Sequence, residues 1–303
     1  MGKNVWGSLL VLISAAGFGI MGIAAKIAYA EGADAVFVLF MRFATGAALL
    51  WIYNIVTGRI KRAWVNRGQL ARMFVLGGVF YFVISMCFFL SLNYIPACLT
   101  SIVLYLYPVF VNVYMFIFAK ERMGYKKLAA LIMAFLGSVM MVWAPGIYVN
   151  IIGVLLALTA AVCYAAYIIM LGGSFAKVLD ELDPIIVSAY IVTSSAVSML
   201  VTGFFAGQLY NSITPKGWWA VIAIAFFSTA LAIITFYLGV KEVGPSRASI
   251  LSTFEPVVTV VLGVLVLKEY LSLVQFTGIV LVICAVVLIN MAGAKQQETA
   301  RQQ

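Results

Sequence analysis

Ten apolar stretches alternate with short polar or charged turns along the 303 residues, at approximately 5–25, 35–57, 71–92, 96–119, 124–143, 148–170, 184–206, 217–239, 245–267 and 272–292. Each is about 20 residues long, which at ~1.5 Å per residue lets a helix cross ~30 Å of hydrocarbon. A soluble chain of this length needs long polar faces, and none occurs before Lys295 to Gln303. The pattern therefore predicts an all-α integral membrane protein with ten transmembrane helices. The first stretch imitates a secretory signal, with Lys3 ahead of it and Ala28-Tyr29-Ala30 behind. Val5 to Ala25 is a full span, however, well beyond the ~7–15 apolar residues of a signal peptide, and is read as a retained helix.

Composition agrees with this reading: 65% of residues are hydrophobic, 10% are charged and the mean hydropathy is +1.13. In a soluble protein the net charge of +9 would suggest nucleic acid; here its placement reports orientation. Fifteen of the nineteen basic residues fall at one set of alternate chain ends and loops, including Arg59, Arg62, Lys126, Lys177 and Lys241. Three, Lys26, Lys216 and Lys268, fall at the other, and Arg42 lies inside the second span. The excess places both termini and the loops around Arg62 and Lys126 in the cytoplasm, as expected of a multi-pass protein of the cytoplasmic membrane. Cys87, Cys98, Cys163 and Cys284 lack CxxC spacing and the chain has no histidine, so neither a metal site nor a cofactor is expected and the cysteines are read as packing residues.

The sequence also repeats. Gly7-Ser8-Leu9-Leu10, then Ser14-Ala15 and Phe18-Gly19, recurs at the same spacing as Gly153-Val154-Leu155-Leu156, Ala160-Ala161 and Tyr164-Ala165. Pro108-Val109 precedes Lys120-Glu121 as Pro256-Val257 precedes Lys268-Glu269, with thirteen residues from proline to glutamate both times. The copies meet near Ala144-Pro145-Gly146, giving a first five-helix repeat over 1–146, a second over 147–295 and a polar tail over 296–303. An odd number of spans per copy inserts the second copy upside down, which defines two inverted five-helix repeats.

Ten spans in two halves, the Arg42-Phe43 pair and the repeated proline-to-glutamate signature resemble the EamA-type family of the drug/metabolite transporter superfamily, over nearly the whole chain. That resemblance implies a 5+5 inverted-repeat carrier with a central cavity, usually exporting small metabolites such as amino acids or their analogues, and names no substrate.

Candidate site residues follow from what is costly in a membrane. Glu255 lies near the middle of the ninth span, where a charged side chain costs roughly 2.5–3.5 kcal/mol on insertion scales. Pro256 beside it leaves the Ser252 carbonyl without a helical partner, and such a break is tolerated where it is buried in protein or lines a cavity. Ser252 and Thr259 share that helix face. Inverted symmetry pairs Pro108 with Pro256, and hence Tyr107 with Glu255. Arg42, eight residues past Asp34, either pairs outward with Asp34 or Glu31 or points inward to a substrate carboxylate or Glu255. Ser101, Tyr105, Pro108 and Asn112 form a stripe on the fourth span that either lines the cavity or bonds to neighbouring helices. Tyr164, which the repeat matches to Phe18, is a further candidate. Tyr190, Ser194, Ser198 and Thr202, and the glycines Gly17, Gly19 and Gly22, read as packing. Glu121 and Glu269, at span ends, read as structural anions beside helix N-termini or as gates.

The function classes separate on this inventory. An intramembrane enzyme needs two acids, a histidine pair or a serine with a base, and the sequence offers one midplane acid. A channel does not require matched helix breaks, and a carrier of phosphorylated solutes needs more than one cation in its cavity. Expected partners are a small-molecule substrate, lipid and, if coupling uses them, protons, with no nucleic acid. Within carriers, the runner-up to amino acids is export of lipophilic cations, to which Glu255 and the aromatics Phe18, Tyr105, Tyr107, Phe254 and Trp143 are suited.

Overall fold

The computed structural model describes residues 3–91, 93–95, 97–121, 123–142, 150–207, 213–267 and 272–301, and every regular element in it is helical. The elements are α1 (Lys3–Ala30), α2 (Ala35–Val56), α3 (Arg67–Ser91), α4 (Ala97–Leu104), α5 (Tyr107–Ile117), α6 (Tyr125–Val142), α7 (Ile151–Gly172), α8 (Pro184–Ala206), α9 (Pro215–Val243), α10 (Pro245–Ser252), α11 (Glu255–Leu267) and α12 (Leu273–Arg301). Among the described residues eight helical segments are long and apolar enough to cross a membrane, with α4/α5 and α10/α11 each counted once. The fifth and tenth expected spans correspond to α6, which runs to Val142, and to the apolar part of α12, Leu273–Ile289. The expected junction at Ala144-Pro145-Gly146 lies outside the described residues.

The two halves start matching helices at similar polar residues, although Asp34 makes no side-chain cap bond. Asp34 and Asp183 precede α2 and α8 in extended conformation, and the Asp183 carboxylate accepts from the Ile185 N–H at 2.9 Å. Asn66 caps α3 in a reciprocal box with Gln69, and the Thr214 hydroxyl caps α9 by accepting from the Gly217 N–H. These bonds satisfy amide groups that a helix start leaves without partners. The fourth and ninth spans are broken alike. α4 ends at Leu104 and α10 at Ser252, each four residues ahead of its proline, where the missing N–H removes the next helical bond. Tyr107 and Glu255 thus open the second pieces, α5 and α11. A second matched irregularity has no proline: α3 passes through a π-helical turn at Val75–Tyr81 and α9 through one at Ile224–Leu231.

Packing exchanges the halves. α1 of the first half lies against α9, α10 and α11 of the second, while α7 of the second lies against α3, α4 and α5 of the first. Likewise α2 crosses the π turn of α9 and α8 crosses the π turn of α3. α2 faces α8, α5 faces α10, and α6 pairs with α12. Two bundles result: α1, α2 and α9–α11 in one, α3–α5, α7 and α8 in the other. Small residues permit the crossings, since helices in lipid associate by close van der Waals contact. A Cβ on Gly46 of α2 would lie 2.7 Å from Thr229 Cγ2, and one on Gly17 of α1 would lie 2.5 Å from the Phe227 carbonyl oxygen. The seventh-span row serves the same end: the Tyr190 hydroxyl donates to the Ala63 carbonyl and Ser198 Oγ to the Gly78 carbonyl.

Candidate substrate cavity

A small cavity lies between the two bundles. Phe18 and Met21 of α1, Arg42 of α2 and Glu255 of α11 form one wall; Tyr81, Ile84, Ser85, Phe88 and Phe89 of α3, Leu104 of α4 and Tyr164 of α7 form the other. These residues sit on the second half of α3 and the first half of α2, away from the end that carries Arg59 and Lys241. That basic end is closed by polar bonds from one bundle to the other. Asn112 of α5 donates through Nδ2 to Ser249 Oγ at 3.3 Å and to the Ser246 carbonyl at 3.4 Å, and accepts from the Ser246 hydroxyl. Further out, Arg59 pairs with Asp183, and Lys241 pairs with Asp180 at 2.8 Å.

Arg42 is 3% exposed and its guanidinium is held by three helices. Nε donates to Thr229 Oγ1 at 3.0 Å, Nη2 to the Tyr81 hydroxyl at 2.9 Å and to the Ser228 carbonyl at 3.4 Å, and Nη1 to Met21 Sδ at 2.9 Å. Its Cζ stands 4.9 Å from the Phe43 ring centre and 5.8 Å from that of Tyr81, within cation–π range. Of the two alternatives open from sequence, the structure has Arg42 inward. No carboxylate among the described residues comes within ion-pair distance of it, Asp34 and Glu255 included. Glu255 borders the same cavity, partly accessible, and makes no hydrogen bond or ion pair with its side chain among the described residues.

The other expected residues divide. Tyr164 lines the cavity and stacks on Tyr107 at 4.4 Å between ring centres. Tyr107 is 1% exposed beneath it; its hydroxyl approaches Ser252 yet forms no well-shaped hydrogen bond. Tyr105 is buried behind the wall. Asn112 lies away from the cavity, in the closure just described. Ser252 Oγ donates to the Ala248 carbonyl and Thr259 Oγ1 to the Gly19 carbonyl, so both hydroxyls serve helix contacts. Pro108 and Pro256 mark the helix breaks. Glu121 accepts from Lys127 Nζ at 2.7 Å across the turn before α6, and Glu269, like Trp143, lies outside the described residues. Sequence reasoning missed Tyr81, Met21, Ser228, Thr229 and the Phe88-Phe89 pair. The signals available were Gly77-Gly78 and Ser228-Thr229, polar or small pairs near the middle of the third and eighth spans.

Comparison with known proteins gives a consistent result. The sequence model described as the EamA-like transporter family matches twice, over residues 5–143 and 151–291. The uncharacterized transporter YyaM of Bacillus subtilis (strain 168) is 30% identical over 253 residues, 81% of each chain, and YcbK of the same strain is 26% identical over 282 residues, 90% of this chain and 88% of that one. An uncharacterized transporter of Archaeoglobus fulgidus is 28% identical over 257 residues, 82% of this chain and 86% of that protein. One solved structure, titled only as the crystal structure of a protein, superposes with a TM-score of 0.79 at 18% identity, covering 96% of this chain and 98% of that one; it supports the fold alone.

Proposed function

Because the chain belongs to the EamA-like transporter family, we propose that it is a secondary transporter that carries small metabolites, amino acids or related small amphipathic solutes, outward across the cytoplasmic membrane by alternating access. It is a multi-pass membrane transporter; substrate, direction and cycle are the proposed part. The observation that carries the reading is the cavity itself. It lies between two bundles that each contain helices from both repeats, it is bordered by one acid and one base on the same wall, and it is shut toward the basic end by Asn112, Ser246 and Ser249. With the basic end in the cytoplasm, this arrangement corresponds to an outward-facing state, and rocking one bundle against the other exposes the same residues to the opposite side. The repeat boundary near 144–146 and the inverted relation of the halves belong to the same proposal.

Counterflow in proteoliposomes tests it, with a panel of labelled amino acids, nucleosides and lipophilic cations, with and without a pH gradient. Saturable exchange of an amino-acid-like solute is expected. Exchange of lipophilic cations alone would replace the substrate class, and conductive flux without saturation would replace the carrier.

A further inference from the structure

Arg42 is a cation in search of an anion. Arginine keeps its charge at any physiological pH and carries five N–H donors in a fixed plane. Here the acceptors around it are a threonine hydroxyl, a tyrosine hydroxyl, a backbone carbonyl and a thioether, all neutral. A buried charge is ordinarily paired, because desolvation is otherwise uncompensated. The one acceptor at Nη1 is the Met21 sulfur, a weak one, and both Arg42 and Met21 border the cavity. Tyr81 accepts from Nη2, so its own hydroxyl hydrogen remains available to an acceptor in the same space. Nη1 and the Tyr81 hydroxyl therefore offer two donors, the number a carboxylate takes.

We infer that Arg42 and Tyr81 form the receptor for a carboxylate carried by the substrate, which makes that group a requirement for binding. The inference rests on the transporter reading above and narrows its substrate class. Glu255, also unpaired on the cavity, refines it. An acid facing the same space disfavours dianions such as phosphate esters and favours a carboxylate that bears an ammonium group. A lipophilic cation meets the fixed charge of Arg42 in its path, against the runner-up expectation. A purely structural Arg42, tying α2 to the π turns of α3 and α9, explains the bonds at Nε and Nη2; it does not explain a charge in a cavity wall with a sulfur as the partner at Nη1.

The test uses three matched probes: L-leucine, 4-methylpentanoate, which lacks the ammonium, and 3-methylbutylamine, which lacks the carboxylate. Each is measured by its effect on the melting temperature of the purified protein and by counterflow in proteoliposomes. Leucine and 4-methylpentanoate are expected to raise the melting temperature of the wild type, and the amine to leave it unchanged at equal ionic strength. Arg42→Gln is expected to weaken both acids by about tenfold or more, Arg42→Lys by less, and Tyr81→Phe to weaken them too, with a lower unliganded melting temperature because Arg42 Nη2 loses its 2.9 Å acceptor. The wild-type comparison needs no variant to fold. Stabilisation by the amine equal to that by the acids, or leucine binding undiminished in Arg42→Gln, overturns the receptor. Transport of the amine with no response to either acid sinks the receptor and leaves the carrier reading standing. Acid binding without movement of any probe supports the receptor and sinks transport of these solutes. No binding of any probe overturns the carboxylate inference.

Discussion

Glu255 faces the cavity with no partner on its carboxylate among the described residues, and the chain has no histidine to share a proton. In a proton-coupled cycle the carboxylate is emptied by protons from one side and refilled by substrate from the other, which an amide cannot do. Glu255→Gln is therefore expected to abolish gradient-driven accumulation while counterflow persists; unchanged accumulation would reduce Glu255 to a hydrogen-bonding group. Tyr107 separates stability from function in the same way. Its buried hydroxyl lacks a proper partner, and an unmet buried polar group costs about 1–3 kcal/mol. Tyr107→Phe should leave the melting temperature unchanged or raised; a fall in transport alongside it would mark the hydroxyl as a contact made by substrate on the way through. At this scale Glu255 was legible because an acid inside an apolar run is an anomaly that needs no neighbours to interpret. Arg42 was equally visible, but its direction was not, since Thr229 and Tyr81 lie 187 and 39 residues away and a span has no solvent face to fix which way a side chain turns.

The broken helices and the π turns differ in how far sequence discloses them. A proline removes a specific bond, so the ends of α4 at Leu104 and α10 at Ser252 follow from Pro108 and Pro256. A π turn removes no group and carries no obligatory residue, and the two at Val75–Tyr81 and Ile224–Leu231 surface only in three dimensions. Their consequence is the Arg42 cradle, since Tyr81 ends one and Ser228-Thr229 lies within the other. Gly17→Val tests how closely the second turn must be approached. The backbone carbonyl of Phe227 stands 2.5 Å from where a Cβ would be and has no rotamer to escape by. Overpacking of this kind typically costs about 1–3 kcal/mol, so a melting temperature lower by several degrees and reduced counterflow are expected; an unchanged melt would show that α1 is free to retreat.

The whole molecule offers two tests of sidedness and motion. In a cysteine-free background, Trp64→Cys near the basic end and Tyr94→Cys before the fourth span, both exposed, should label from opposite sides, Trp64→Cys from the cytoplasm. Labelling of both from outside defeats the alternating topology. An Asn112→Cys/Ser246→Cys pair bridges the two bundles where the side chains already bond; oxidation is expected to stop counterflow and a reductant to restore it, whereas full activity when cross-linked removes that closure from the cycle. The exchange of helices between repeats also sets the order in which the protein can be made. Arg42 leaves the ribosome long before Ser228 and Thr229 exist, and α1 waits for α9 and α11 before its glycines meet anything. The first repeat is therefore expected to be an unfinished object, open to quality-control proteases, until synthesis is complete. Two separately encoded chains divided between Val142 and Asn150 should then be short-lived alone and rescue one another when expressed together.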